Sequence, residues 1–169
     1  MFSSLYRLLT LAFLAATLTL LPGCGDKRAI SGKAPSLALK TYSGETFTMT
    51  GNDQSVTLLV FWATWCRPCL MEIPTLVKLH DKYRDKNFRV VSINVDDQEG
   101  KKVKSIVKEF GITYPVLVGS EEVMHQFGGV EALPTSFLIG RDGRIREKVQ
   151  GLYPEEHLDG LVAAALAGG

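Results

Sequence analysis

Two nearly unbroken apolar runs dominate the pattern after residue 34. Val56 to Ala63 (VTLLVFWA) and Phe88 to Val95 (FRVVSINV) are rich in β-branched and aromatic residues, which suits strands buried on both faces of a sheet. Between them Ile73, Leu76, Val77, Leu79, His80 and Tyr83 recur at helical spacing. The segment therefore predicts a β-α-β unit, a parallel pair with a crossover helix. Pro74 should kink that helix, because it removes a donor and crowds the carbonyl of Leu70.

Shorter elements follow from weaker signals. Leu37-Ala38-Leu39 and Glu45 to Met49 read as strands about a Ser43-Gly44 turn. Tyr114 to Val118 predicts a further strand. Thr135 to Ile139 and Ile145 to Gln150 flank Arg141-Asp142-Gly143-Arg144, whose Asp-Gly marks a hairpin. Val103, Ile106, Val107 and Phe110 define a helix that stops at Gly111. Ser120 is placed to cap a short helix through Phe127, closed by Gly128-Gly129. Pro154, with Glu155 and Glu156 behind it, opens a last helix whose apolar face is Leu158, Leu161, Val162 and Leu166. The expected order is β β β α β α β α β β α, an α/β class with a mixed sheet and helices on both sides.

The N-terminus has a different pattern. Leu8 to Leu21 is apolar except for three threonines and follows Arg7 and the start amine. It is short for a transmembrane helix, which needs roughly 18–20 apolar residues, and fits a signal-peptide core. It ends in Leu21-Pro22-Gly23-Cys24, which resembles the lipobox of bacterial lipoproteins, where the cysteine is acylated and becomes the new N-terminus. The expected organisation is a signal peptide over 1–23, a polar tether over 24–33 and one domain over 34–169. That domain would be held at a bacterial membrane through lipid on Cys24 and face away from the cytoplasm, where disulfides persist.

Composition changes the picture in one respect. The chain has 19 basic and 18 acidic residues; removal of the segment carrying Arg7 leaves 18 of each. A neutral balance offers no field for nucleic acid, which needs a basic face. The three cysteines, odd in number for an exported chain, divide into Cys24 for lipid and one pair, Cys66 and Cys69.

That pair carries the chemistry. Cys66-Arg67-Pro68-Cys69 stands where the first long helix should begin, so its side chains share a face about 5–6 Å apart, a separation that a disulfide and two thiols both accept. A helix N-terminus offers unsatisfied N–H groups and partial positive charge that stabilise a thiolate. Cys66 is expected to be the exposed nucleophile and Cys69, one turn deeper, the resolving thiol. A structural disulfide closing so short a loop would constrain the unfolded chain little. A zinc or copper site would want further cysteine or histidine ligands, and His80, His125 and His157 lie isolated. No metal and no cofactor is expected.

Trp62-Ala63-Thr64-Trp65-Cys66-Arg67-Pro68-Cys69 is similar to the active-site segment of thioredoxins. The pattern Cys66, Cys69, Glu72, Pro74 resembles the exported TlpA/ResA-type branch, which includes reductants of cytochrome c maturation. Asp96 to Val118 resembles the β-α insertion of that branch, and Gly129 to Ile139 its later segment. The resemblance spans Ala34 to the end. It implies a thioredoxin fold, a central mixed sheet flanked by helices with an N-terminal β extension, and a protein-disulfide reductase acting on exported protein thiols, apocytochrome c among them. Re-reduction would come from a membrane electron donor, and the chain is expected to act as a monomer.

The resemblance also assigns roles. Pro134 would be a cis-proline facing the dithiol, leaving the backbone of Leu133 to pair with an extended substrate and barring metal. Glu72 would exchange the Cys69 proton, against the simpler reading of a solvent-exposed acid that favours a helix N-terminus. Trp65, Arg67 and Pro68 are expected to meet the substrate, the latter two also tuning thiolate stability. Cytoplasmic thioredoxins carry a buried aspartate six residues before the first cysteine; Val60 stands there, which leaves Glu72 as its substitute. Two other functions use the same residues: a peroxide reductase, although the lone cysteine after threonine-proline is lacking, and a metallochaperone or holdase with inert cysteines.

Overall fold

A computed structural model describes residues 32–168 apart from 52 and 97–99. The elements in chain order are β1 (Leu37–Lys40), β2 (Thr46–Met49), β3 (Val56–Trp62), α1 (Arg67–Tyr83), β4 (Phe88–Asn94), α2 (Lys101–Glu109), β5 (Val116–Val118), α3 (Glu121–Gln126), β6 (Thr135–Ile139), β7 (Ile145–Gln150) and α4 (Glu155–Ala167), with a 3-10 turn at Arg84–Lys86. The predicted order holds element by element. The signal segment, Cys24 and the tether up to residue 31 lie outside the described residues. Among the described residues no helix is long and apolar enough to cross a membrane.

Strand β3 is central because all seven of its residues are buried. It pairs in parallel with β4 and antiparallel with β6, giving a five-stranded sheet in the order β5-β4-β3-β6-β7. Alternation along β3 feeds two cores. Val56, Leu58, Val60 and Trp62 join Leu76 of α1, Val103 of α2 and Leu158 of α4. Leu59 and Phe61 join Val123 of α3, Phe127, Phe137 and residues Leu37 and Met49 of the β1-β2 hairpin. Phe61, Phe127 and Phe137 pack with ring centroids 5.1–6.0 Å apart, each burial contributing about 1.5–3 kcal/mol. The second face is therefore covered by one short helix and a β-hairpin.

One boundary departs from the sequence expectation. Gly32 and Lys33, assigned to the tether, are already part of the domain: the carbonyl of Gly32 accepts from the Ile145 amide at 3.0 Å, and the Ala34 amide donates to Gly143 at 2.8 Å. Backbone pairing fixes these residues whatever their side chains. Pro74 lies inside α1, which spans Arg67 to Tyr83; Ile73 and Leu76 on either side, each 2% exposed, hold the helix to the sheet.

Candidate active site

Strand β3 delivers the chain to a tight turn in which the Cys66 amide donates to the Ala63 carbonyl at 3.1 Å. Cys66 then serves as the N-cap of α1 with extended backbone, and its sulfur accepts from the Cys69 amide at 3.3 Å. A sulfur thus occupies the place usually taken by a capping oxygen. Pro68 falls in the first turn, where an amide donor is dispensable. Cys66 and Cys69 form a disulfide, with Cα atoms 5.3 Å apart.

The Leu133–Pro134 peptide is cis, the form the resemblance implies. The Pro134 carbonyl accepts from the Gly151 amide at 2.8 Å, and the Thr135 hydroxyl donates to the Ala132 carbonyl at 2.7 Å. These bonds secure the loop between α3 and β6. Trp65, Cys66, Arg67, Pro68 and Leu133 line one open cleft of about 720 Å³, together with Asp96 and Met124. Cys69, Glu72 and Pro134 are buried and do not line it. Trp65 is 70% exposed, whereas Cys66 is only 6% and Cys69 2% exposed. Cys66, expected to be the exposed nucleophile, is thus largely covered while it is disulfide-bonded. In the disulfide form Cys66 packs within the core cluster that contains Trp62 and Cys69 and reaches solvent through the cleft.

Glu72, one turn beyond Cys69, is 1% exposed, and neither carboxylate oxygen has a hydrogen-bond partner among the described residues. Burial pushes its pKa up to about 7, since desolvation disfavours the charged form. The solvent-exposed alternative for this residue does not hold. Burial and the nearby Glu72 raise the Tyr114 hydroxyl well above its ordinary range. Val60 is buried at 1% exposure and brings no proton-handling group. Trp62 is core, 3% exposed, with its indole N–H unpartnered among the described residues. Sequence reasoning did not single out Asp96, whose carboxylate accepts from the Thr64 amide at 3.0 Å. The available signal was an acid just past the C-terminal end of β4, the strand that pairs with β3.

Comparison with known proteins agrees with this arrangement. The AhpC/TSA family profile matches residues 30–148. The thiol-disulfide oxidoreductase ResA of Bacillus thuringiensis (strain Al Hakam) is 31% identical over 137 residues, covering 81% of this chain and 79% of that protein. The thioredoxin-like protein YneN of Bacillus subtilis (strain 168) is 31% identical over 129 residues, 75% of each chain. A crystal structure of a thiol:disulfide interchange protein of the thioredoxin family from Chlorobium tepidum TLS superposes with a TM-score of 0.74 at 31% identity, covering 80% of this chain and 97% of the other. StoA from Bacillus subtilis superposes at 0.64 with 28% identity, over 75% and 96%. A redox-competent Cys-x-x-Cys at a helix tip, on a thioredoxin-like sheet shared with these relatives, makes the chain a thiol-disulfide oxidoreductase of the ResA type, and it belongs to the AhpC/TSA family.

Proposed function

We propose that this oxidoreductase works outside the cytoplasm as a membrane-tethered reductant of disulfides in exported proteins. The observation that carries the chemistry is the amide of Cys69 aimed at the Cys66 sulfur from the tip of α1. In the reduced protein that donor and the helix terminus favour a thiolate on Cys66. The thiolate attacks one sulfur of a substrate disulfide, forming a mixed disulfide and releasing a substrate thiolate. Cys69 then attacks the Cys66 sulfur, closes the Cys66–Cys69 bond and releases the second thiolate. Two electrons pass to the substrate, and each departing thiolate takes up a proton. Glu72, buried one turn from Cys69, receives the proton that Cys69 must lose before it attacks.

Trp65, Arg67, Pro68 and Leu133 form the cleft wall against which an extended substrate lies, with the Leu133 backbone as its pairing edge and Pro134 closing the dithiol to metal. The pattern around Cys24 supports a lipid anchor after a signal peptide over 1–23. The sequence resemblance supports apocytochrome c as a substrate and a membrane electron donor for re-reduction. One chain suffices as the acting unit, because the dithiol, Glu72 and Pro134 all come from the same chain.

The test uses Cys69→Ala isolated from cells under conditions that preserve mixed disulfides. An exported protein linked through Cys66, lost in a Cys66→Ser/Cys69→Ala double variant, is the expected result, and cytochrome c apoprotein among the captured species selects the maturation role. Failure to trap any protein would sink the reductase reading.

A further inference from the structure

A carboxylate from the neighbouring strand grips the loop that carries the dithiol. The Ala63–Cys66 turn leaves the Thr64 amide to find a partner outside it, and Thr64 is only 8% exposed. Asp96 supplies that partner with both oxygens, at 3.0 and 3.2 Å. Asp96 is itself held. The side-chain oxygen of Asn94 accepts from the Asp96 amide at 3.2 Å, and its side-chain nitrogen donates to the Asp96 carboxylate at 3.4 Å. Asn94 is completely buried and also accepts from the Tyr42 hydroxyl at 2.9 Å. A hydrogen-bonded line therefore runs from Tyr42, just past β1, through Asn94 and Asp96 to the residue two positions before Cys66.

Asp96 also shares the cleft wall with Cys66. Among the described residues, the charged side chains of that wall are Arg67, Asp96, Glu121 and Glu131. Of these three described acids, Asp96 is the one bonded to the turn that presents the nucleophile. A negative charge fixed there disfavours the thiolate on Cys66, in the opposite sense to the helix terminus. Stabilising the reduced form makes a disulfide a stronger oxidant; destabilising it makes the couple more reducing.

We propose that Asp96 is a positioning residue that sets the redox balance of the Cys66–Cys69 couple, fixing the turn that carries Cys66 and holding the couple on the reducing side through its charge. The proposal rests on the reading of the pair as the working couple. It accounts for how a helix tip that by itself favours an oxidant can serve a reductant.

The test equilibrates the full chain, purified in detergent, with glutathione: the protein disulfide and two glutathione thiols give the protein dithiol and glutathione disulfide. Asp96→Asn keeps an acceptor for the Thr64 amide and removes the charge; Asp96→Ser removes the charge and shortens the reach. Both are expected to raise the equilibrium constant for dithiol formation about three- to tenfold, tenfold corresponding to about 30 mV. Only Asp96→Ser is expected to slow the exchange as well. A wild-type protein that does not exchange overturns the reading of the pair as a redox couple. An exchanging wild type whose constant moves less than about twofold in both variants, or falls, leaves that reading standing and overturns the role of Asp96. If Asp96→Asn does not fold, Asp96→Ser decides by the same criterion. If neither folds, the residue is architectural and the proposal falls.

Discussion

The Cys69 amide donates to the Cys66 sulfur at 3.3 Å, so the first helical turn is capped by one of the two atoms that must react. No acidic residue stands in that first turn to oppose an anion. Cys69 lacks this donor, lies deeper at 2% exposure, and precedes the buried Glu72 by one turn. In the reduced protein Cys66 should therefore be alkylated by iodoacetamide at least about tenfold faster than Cys69 at pH 7. Peptide mass spectrometry of a brief reaction measures the ratio, and equal labelling would remove the helix tip from the mechanism.

Glu72 makes stability depend on pH in a calculable direction. Its pKa rises from 4.5 to about 7 on folding. Between those values the native protein binds more protons than the unfolded chain, so stability is full below about 4.5 and declines as pH rises to about 7. About 2.5 units at about 1.4 kcal/mol each give a loss of roughly 3 kcal/mol. Glu72→Gln is neutral throughout and should abolish that decline, leaving the oxidised variant more stable than wild type at pH 8. Urea unfolding at pH 5 and pH 8 measures the difference; identical pH dependence in the two proteins would mean that the carboxylate is solvated. In turnover assays the same variant should be slower and lose the inflection near pH 7.

Much of this site was legible from the sequence because its signals are local. Val56–Trp62 announced a doubly buried strand by its unbroken apolar run, and all seven residues are buried. The dithiol was legible because spacing and a helix start decide its geometry together. What escaped depends on distant partners. Asp96 meets Thr64 across 32 positions, and its place just past the end of β4 does not by itself name that partner. The packing of Leu37 and Met49 against the second sheet face follows from the shape of the aromatic cluster and not from the short patterns LALK and TFTM. Glu72 has the residue type that a solvated helix start would also choose; only the surrounding core separates the two readings.

Gly143 joins the N-terminal segment to the β6-β7 hairpin under a steric constraint. Its φ is +74°, and a Cβ there would stand 1.7 Å from the Gly51 carbonyl oxygen. Its own carbonyl accepts from the Ala34 amide. Gly143→Ala must therefore adopt a left-handed backbone and displace backbone atoms of another loop, for a combined cost of about 3 kcal/mol or more. Thermal unfolding should show a fall in Tm of about 10 °C. A shift under about 2 °C would mean that the Gly51 backbone does not pack against Gly143 in solution.

His80 supplies the opposite slope from the same helix that carries Glu72. Its Nδ1 accepts from the Val90 amide at 3.3 Å, which requires that nitrogen to be unprotonated, and its ring meets Tyr114 edge-on at 5.8 Å. Burial lowers its pKa, with Asp81 and Arg84 acting in opposing senses. A lowered native pKa means stability that is present above the unfolded value near 6.5 and lost as pH falls through the native one. Protonation also forfeits the Val90 bond, about 1 kcal/mol. Wild type carries both slopes, and Glu72→Gln should expose the acid-side loss by itself. Removing His80 as well, in Glu72→Gln/His80→Phe, should flatten that limb further. Imidazole resonances followed by NMR give the direct check: His80 must titrate below 6.5. A midpoint at or above that value would show that the Val90 amide is not its partner and that the acid-side loss arises elsewhere.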